Sequence, residues 1–199
     1  MAYKEQLKKD PKLAPILDQE AHQLKRRKNT AVMLMASIIS QQLSTKVAKI
    51  IFERFLALYD HQEPDCQKVL DTTDEILRAI GLSYSKISYV KNVAQFFIEK
   101  RLTDKQLYQM TPEEVIELLT QIKGVGKWTV EMLLMFSLAH ENVFAVDDLG
   151  IQQSMIKLYR FRYTSKKELQ IKMLAKAKEW EPFKTYACLH LWKWKDGVG

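Results

Sequence analysis

Apolar residues along this chain recur three and four positions apart, and segments that alternate apolar with polar are nearly absent. A backbone patterned in this way satisfies its hydrogen bonds within helices rather than between strands. The pattern therefore predicts an all-α fold. Helices are expected at roughly Ala14–Arg27, Thr30–Ser40, Ser44–Tyr59, Asp65–Leu70, Thr73–Ile80, Ser85–Lys100, Thr103–Gln109, Pro112–Gln121, Gly126–Ala139, Asp148–Tyr159, Lys166–Lys178 and Pro182–Trp194. Ser44, Thr73, Ser85, Thr103 and Thr111 can accept from free first-turn amides as N-caps. Pro112 and Pro182 suit first-turn positions, where no N–H is needed. Gly81 suits a left-handed stop after Ile80. No repeat of fixed period occurs, which argues against a solenoid scaffold.

The sequence has 199 residues, room for one large domain or two small helical lobes with a real core. Its formal net charge of +7 and pI near 9.2 favour a polyanionic partner such as nucleic acid. Only 2 cysteines are present, Cys66 and Cys188, so a four-cysteine iron–sulfur cluster or zinc ribbon is excluded by ligand count. Two cysteines far apart in sequence, with no Cys-x-x-Cys pair, fit a reducing compartment. The charged start, Met1 to Asp10, lacks the apolar core of a signal peptide. The most apolar run, Ala31 to Ile39, is too short to span a bilayer, so no membrane partner is expected.

The sharpest turn lies between two apolar-periodic helices, at Ile122-Lys123-Gly124-Val125-Gly126-Lys127. Glycine permits positive φ and close backbone approach. Val125 can plug between the helices and fix their angle. Amides at the start of the second helix then point outward, toward an anion, and Lys123 and Lys127 add charge beside them. A DNA phosphate is a natural ligand for such a turn. An ordinary tight helix–helix connection remains the alternative.

With the residues that follow it, this turn resembles a known signature. Ile122 to Thr129, then Val143-Phe144-Ala145-Val146-Asp147-Asp148, is similar to the helix-hairpin-helix (HhH-GPD) DNA glycosylase superfamily: a hairpin, a helix, a short loop and an essential Asp. Ser37 to Ser44 resembles that family's early helix and DNA-wedge loop. Trp180-Glu181-Pro182-Phe183, running on to Trp192, resembles its C-terminal helix. The resemblance covers roughly Ala31 to Trp194 in the right order. It is strongest to the bacterial 3-methyladenine DNA glycosylase II group, in a short form without that group's N-terminal β-rich domain.

The resemblance implies two helical lobes with a DNA-binding cleft between them. One lobe is expected at about residues 30–140, including the hairpin at 118–132. The other is expected from 1–29 together with 141–199. The activity implied is that of a monofunctional N-glycosylase, which flips a damaged base such as 3-methyladenine from double-stranded DNA and leaves an abasic site. Alignment on Trp128 places the essential acid on Asp148, and leaves Asp147 to cap the following helix. A carboxylate suits this chemistry, because the sugar gains oxocarbenium character that a nearby anion stabilises, and the same group can orient water. Lyase members carry a lysine where this chain has Trp128. Lys127 is one residue away, about 100° around a helix.

By the same resemblance Trp128 and Trp192 line a base pocket suited to a cationic purine. Met132 stands in that pocket where the compared family member has a tyrosine. Gln41, Gln42, Leu43 and Ser44 face DNA, with Gln42 or Leu43 as the wedge. Lys86, in the Gly81 to Lys86 turn, reaches phosphate, as do Lys123, Gly124, Val125, Gly126 and Lys127 of the hairpin. No cofactor is required, though carbonyls of Thr120, Ile122 and Val125 could hold Na⁺ or K⁺. The 4 histidines show no metal-ligand spacing; His190, near Trp192, is expected to be a packed surface residue. The enzyme is expected to act as a monomer, in the cytoplasm or nucleoid of a bacterium or the nucleus of a eukaryote. Two alternatives stay open: a glycosylase for oxidised guanine or mismatched uracil, and a non-catalytic DNA-binding module. The second leaves Asp148 and the Trp180-Glu181-Pro182 block without a role.

Overall fold

The computed structural model describes residues 1–17 and 22–197. Its α-helices are α1 (Ala2–Leu7), α2 (Thr30–Ser40), α3 (Thr45–Ala57), α4 (Cys66–Asp71), α5 (Asp74–Ala79), α6 (Tyr84–Glu99), α7 (Asp104–Leu107), α8 (Pro112–Leu119), α9 (Lys127–Phe136), α10 (Leu149–Tyr159), α11 (Lys166–Ala177) and α12 (Lys184–Gly197). No strand occurs among the described residues, so the all-α expectation holds. The chain divides into two compact units, Met1–Lys25 with Ala139–Gly199, and Arg26–Leu138.

Hydroxyl and carboxylate caps set most helix starts. Ser44, Thr73, Thr103 and Thr111 each accept from the amide three residues on, and the last two complete a reciprocal capping box with Gln106 and Glu114. Ser85 is not a cap. Ser83, in extended backbone, accepts from Lys86 N–H and starts α6 earlier. Gly81 has φ +105°, the left-handed stop expected of it.

The helix expected at Ala14–Arg27 does not form. Only Ala14–Ile16 makes a 3-10 turn, residues 22–27 are irregular, and 18–21 lie outside the described residues. Pro15 starts this turn but Leu17 is extended. The run from Lys25 to Lys28 gathers like charge, and Arg27 N–H instead meets the Ser137 carbonyl at 2.9 Å. In the other direction, α1 was not expected from the sequence. It forms because Tyr3 and Leu7, four apart, bury one face.

The Arg26–Leu138 unit is built around α2. Its Val32, Leu34, Met35, Ile38 and Ile39 are fully buried, each worth roughly 1.5–3 kcal/mol. It packs on α3, α6 and α9. Asp104 anchors its start, accepting from the amides of Asn29 and Thr30 and from the Thr30 hydroxyl. A carboxylate there suits the positive end of the helix dipole. In the other unit α10 packs on α12. The Ser154 hydroxyl lies between the Gly150 carbonyl at 2.8 Å and the Leu191 carbonyl at 3.1 Å, tying the two helices.

Candidate active site and nucleic-acid interface

Asp148 heads α10. Its Oδ1 accepts the Ile151 N–H at 2.8 Å and the Trp192 indole Nε1–H at 2.8 Å. The N-cap bond and the indole, which arrives from α12, fix the carboxylate in one orientation. Gly150 makes room for this meeting: a Cβ there would lie 3.0 Å from Trp192 Cδ1 and 3.1 Å from Asp148 Oδ1. The loop before the acid is held by Thr185, whose hydroxyl accepts from Val143 N–H and donates to the His140 carbonyl. Gln152 closes the other side by donating to the Val146 carbonyl.

Asp147 turns elsewhere. Its Oδ1 accepts from Gln170 Nε2 at 2.7 Å and lies 3.2 Å from Lys166 Nζ, both on α11. The capping role expected of Asp147 therefore falls to Asp148. Adjacent residues at a helix start diverge, so one acid meets α12 and the other α11. His190 is fully buried rather than a surface residue, edge-on to His22 and tilted against Tyr3.

In the Arg26–Leu138 unit, α8, the turn and α9 form the hairpin. Val125 is buried, and its N–H closes the turn on the Ile122 carbonyl at 3.0 Å. Gly124 has φ +100°, and a Cβ on it would fall 2.1 Å from the Tyr89 ring. Only glycine fits there. Gly126 differs: a Cβ would meet nothing, and its backbone is extended. It is the N-cap of α9 and no side chain caps the helix, which leaves first-turn amides available to an anion. Lys123 and Lys127 are exposed beside it. Lys127 Nζ lies 3.7 Å from the buried Glu131 carboxylate one turn on. The carbonyls considered for a monovalent cation, on Thr120, Ile122 and Val125, follow the end of α8. The Ile122 oxygen retains a second lone pair beside its bond to Val125.

Trp128 and Met132 lie one turn apart on α9, Trp128 36% exposed and Met132 half-buried. The loop from Gln41 to Ser44 links α2 to α3. Gln42 is exposed with φ +59°, an unusual conformation for a non-glycine residue, and Leu43 is half-buried. Gln41 Nε2 donates to Thr129 Oγ1 on α9 at 3.2 Å. Lys86, expected to reach phosphate, has its ammonium engaged within the protein. Its ammonium donates to the Ile39 and Gln41 carbonyls at 2.7 and 2.8 Å, at the end of α2. Those carbonyls are 47 and 45 residues away along the chain, and only the fold brings them to it.

Sequence reasoning passed over Gly150, Thr185, Tyr89 and Thr129. Gly150 left one sign, a glycine inside a helix's first turn, which marks close approach by another element. The others carry no sequence signal of their own.

The sequence matches the HhH-GPD superfamily of base excision DNA repair proteins over residues 35–181. It is 39% identical over 162 residues to DNA-3-methyladenine glycosylase 1 of Schizosaccharomyces pombe, covering 80% of this chain and 70% of that protein. It is 31% identical to a putative DNA-3-methyladenine glycosylase of Bacillus subtilis, spanning 80% of this chain and 57% of that one. A solved structure of the S. pombe 3-methyladenine DNA glycosylase in complex with abasic DNA superposes with a TM-score of 0.85 at 32% identity, over 97% of this chain and 96% of that one. From residue 35 to residue 181, through hairpin and acid alike, this chain belongs to the HhH-GPD superfamily of base excision DNA repair proteins.

Proposed function

We propose that this chain is a monofunctional DNA N-glycosylase that removes alkylated bases of the 3-methyladenine type and leaves an abasic site. The observation that carries the proposal is Asp148, a carboxylate oriented by the Trp192 indole and the Ile151 amide within a family of base excision proteins. Relatives named for 3-methyladenine excision support the substrate class.

The chemistry follows from the residues. The hairpin amides with Lys123 and Lys127 hold backbone phosphate, which positions the duplex without reading its sequence. Gln42, or Leu43 beside it, fills the gap left by the flipped base. A cationic alkylpurine gains from aromatic faces, which Trp128 and Trp192 offer and Met132 does not, by about 0.5–2 kcal/mol per contact. As the N-glycosidic bond breaks, its electron pair leaves with the base and positive charge grows at the sugar C1′. The Asp148 carboxylate stabilises that charge. It also orients the attacking water, whose oxygen bonds to C1′ and whose proton passes to the carboxylate. Carbonyls of Thr120, Ile122 and Val125 would hold Na⁺ or K⁺ and stiffen the turn. The partner is double-stranded DNA with a damaged base, met by a monomer.

The test is base release from duplexes carrying methylated purines, ethenoadenine, oxidised guanine or uracil. Methylated purines should be released fastest. Asp148→Asn should lower single-turnover release by about 10²–10³-fold, the scale of losing a preorganised charge in an active site. Release confined to oxidised guanine or uracil would move the substrate class, and full activity in Asp148→Asn would overturn the mechanism. Strand cleavage by β-elimination that disappears in Lys127→Ala would overturn the monofunctional reading.

A further inference from the structure

A helix C-terminus leaves carbonyl oxygens without intrahelical donors, and a cation there also meets the negative end of the dipole. The last turn of α2 and the loop after it present such oxygens on Ile39 and Gln41, and Lys86 donates to both, at 2.7 and 2.8 Å. Lys86 comes from the first turn of α6. Burial pushes its ammonium below the ordinary lysine value, as expected for a charge drawn from solvent onto carbonyls. Gln41 is held a second time, by Thr129 of α9. The next residue, Gln42, then stands exposed in the left-handed region. A non-glycine residue keeps that conformation only where its surroundings impose it.

The same helix reaches the hairpin. Tyr89 fills the space against Gly124, and Asn92 Nδ2 donates to the Lys123 carbonyl at 3.1 Å. Lys86, Tyr89 and Asn92 are spaced three apart, which puts them along one side of α6. One rigid helix therefore supports the loop after α2 and the phosphate-binding turn.

We propose that Lys86 is a positioning residue for base flipping: it fixes the Gln41–Leu43 loop so that Gln42 is presented as the wedge, in register with the hairpin through α6. This rests on the reading of Gln42 as the wedge given above. Lys86 acts through the loop and need not touch DNA.

The experiment uses the full chain as wild type, Lys86→Met, Lys86→Arg and Gln42→Ala. Flipping is followed by the fluorescence of 2-aminopurine placed beside a 7-methylguanine in duplex DNA. Affinity for undamaged duplex is measured over a salt series. Lys86→Met keeps the stem and loses the ammonium. It should slow flipping about 10-fold while affinity for undamaged DNA stays within about 3-fold and the salt slope is unchanged. Lys86→Arg, which can still donate to two carbonyls, should recover most of the flipping rate; a merely structural lysine would not give this split between flipping and binding. Wild-type flipping in Lys86→Met overturns the proposal. So does a parallel loss of affinity with a salt slope smaller by about one, because that is the mark of a phosphate contact. If Gln42→Ala flips normally, the wedge reading falls and this proposal with it. If Gln42→Ala is slow and Lys86→Met is normal, only the assignment to Lys86 falls.

Discussion

At the scale of single residues, the proposed chemistry rests mostly on the pairing of Asp148 with Trp192. A carboxylate at a helix N-cap is common and needs no catalytic explanation. What sets Asp148 apart is the indole N–H from α12 on the same oxygen, in a space that Gly150 keeps clear. A hydrogen bond to a charged acceptor contributes more than one between neutral groups. Trp192→Phe keeps a ring in place and removes that donor. It should lower single-turnover base release by roughly 10–100-fold, the equivalent of about 1.4–2.7 kcal/mol. Gly150→Ala should act in the same direction, since its Cβ would sit 3.0 Å from Trp192 and 3.1 Å from the Asp148 oxygen. Activity unaltered in both variants would remove Trp192 from the positioning of the acid. The resemblance, aligned on Trp128, points to Asp148 rather than Asp147 as the essential acid. The partners of the two acids carry no such sign, because Gln170 and Lys166 lie 23 and 19 residues from Asp147, Trp192 lies 44 from Asp148, and only packing brings them near.

At the scale of elements, the hairpin's two glycines have separate reasons to exist. Gly124 is required by the fold: its φ is +100° and the Tyr89 ring occupies the place of a side chain. Gly126 meets no such demand, and what its bareness leaves open is access to the first amides of α9. Gly124→Ala should therefore destabilise the protein by about 2–4 kcal/mol, read from chemical denaturation. Gly126→Ala should leave stability within about 0.5 kcal/mol and weaken binding to duplex DNA. Equal losses of stability would mean that both glycines serve the fold alone. Local chemistry made the helix starts readable, because Ser44, Thr73, Thr103 and Thr111 cap through bonds to residues three positions on. It failed where long-range bonds outweighed propensity. The stretch expected as a helix through Arg27 gives its Arg27 amide to Ser137 and its carbonyl to the Tyr108 hydroxyl instead. The engagement of Lys86 was hidden for the same reason, since the carbonyls it meets belong to the end of α2 and the loop after it.

At the scale of the whole molecule, one unit is assembled from both ends of the chain, and Asp10 is where they meet. Its buried carboxylate, 4% exposed, accepts from the Tyr159 hydroxyl at 2.7 Å and the Trp180 indole at 3.1 Å. The amides of Lys12 and Leu13 add two more bonds, and Lys176 lies 3.9 Å away. Burial alone would raise the Asp10 value, but these donors outweigh it and hold the carboxyl below the usual carboxylate range. A group depressed in the folded state stabilises fully above its unfolded value, about 3.9 for Asp, and that contribution is lost as pH falls through the lower folded value. Tyr159, facing the same carboxylate, is pushed upward by burial and by Asp10, so it stays a donor across this range. Exposed acids such as Glu114, Glu168 and Glu181 are depressed too and add to the acid sensitivity of any variant. The informative quantity is therefore the difference between wild type and Asp10→Asn. At neutral pH the variant should be less stable by about 1.5–3 kcal/mol, because an amide cannot match a carboxylate facing four donors. Below about pH 4 the gap should narrow, since wild type begins to protonate a group that the variant lacks. Urea denaturation of both proteins at neutral pH and near pH 3 measures this directly. A gap that stays constant with pH would show that Asp10 holds the chain ends together by shape and hydrogen bonding, with no contribution from its charge.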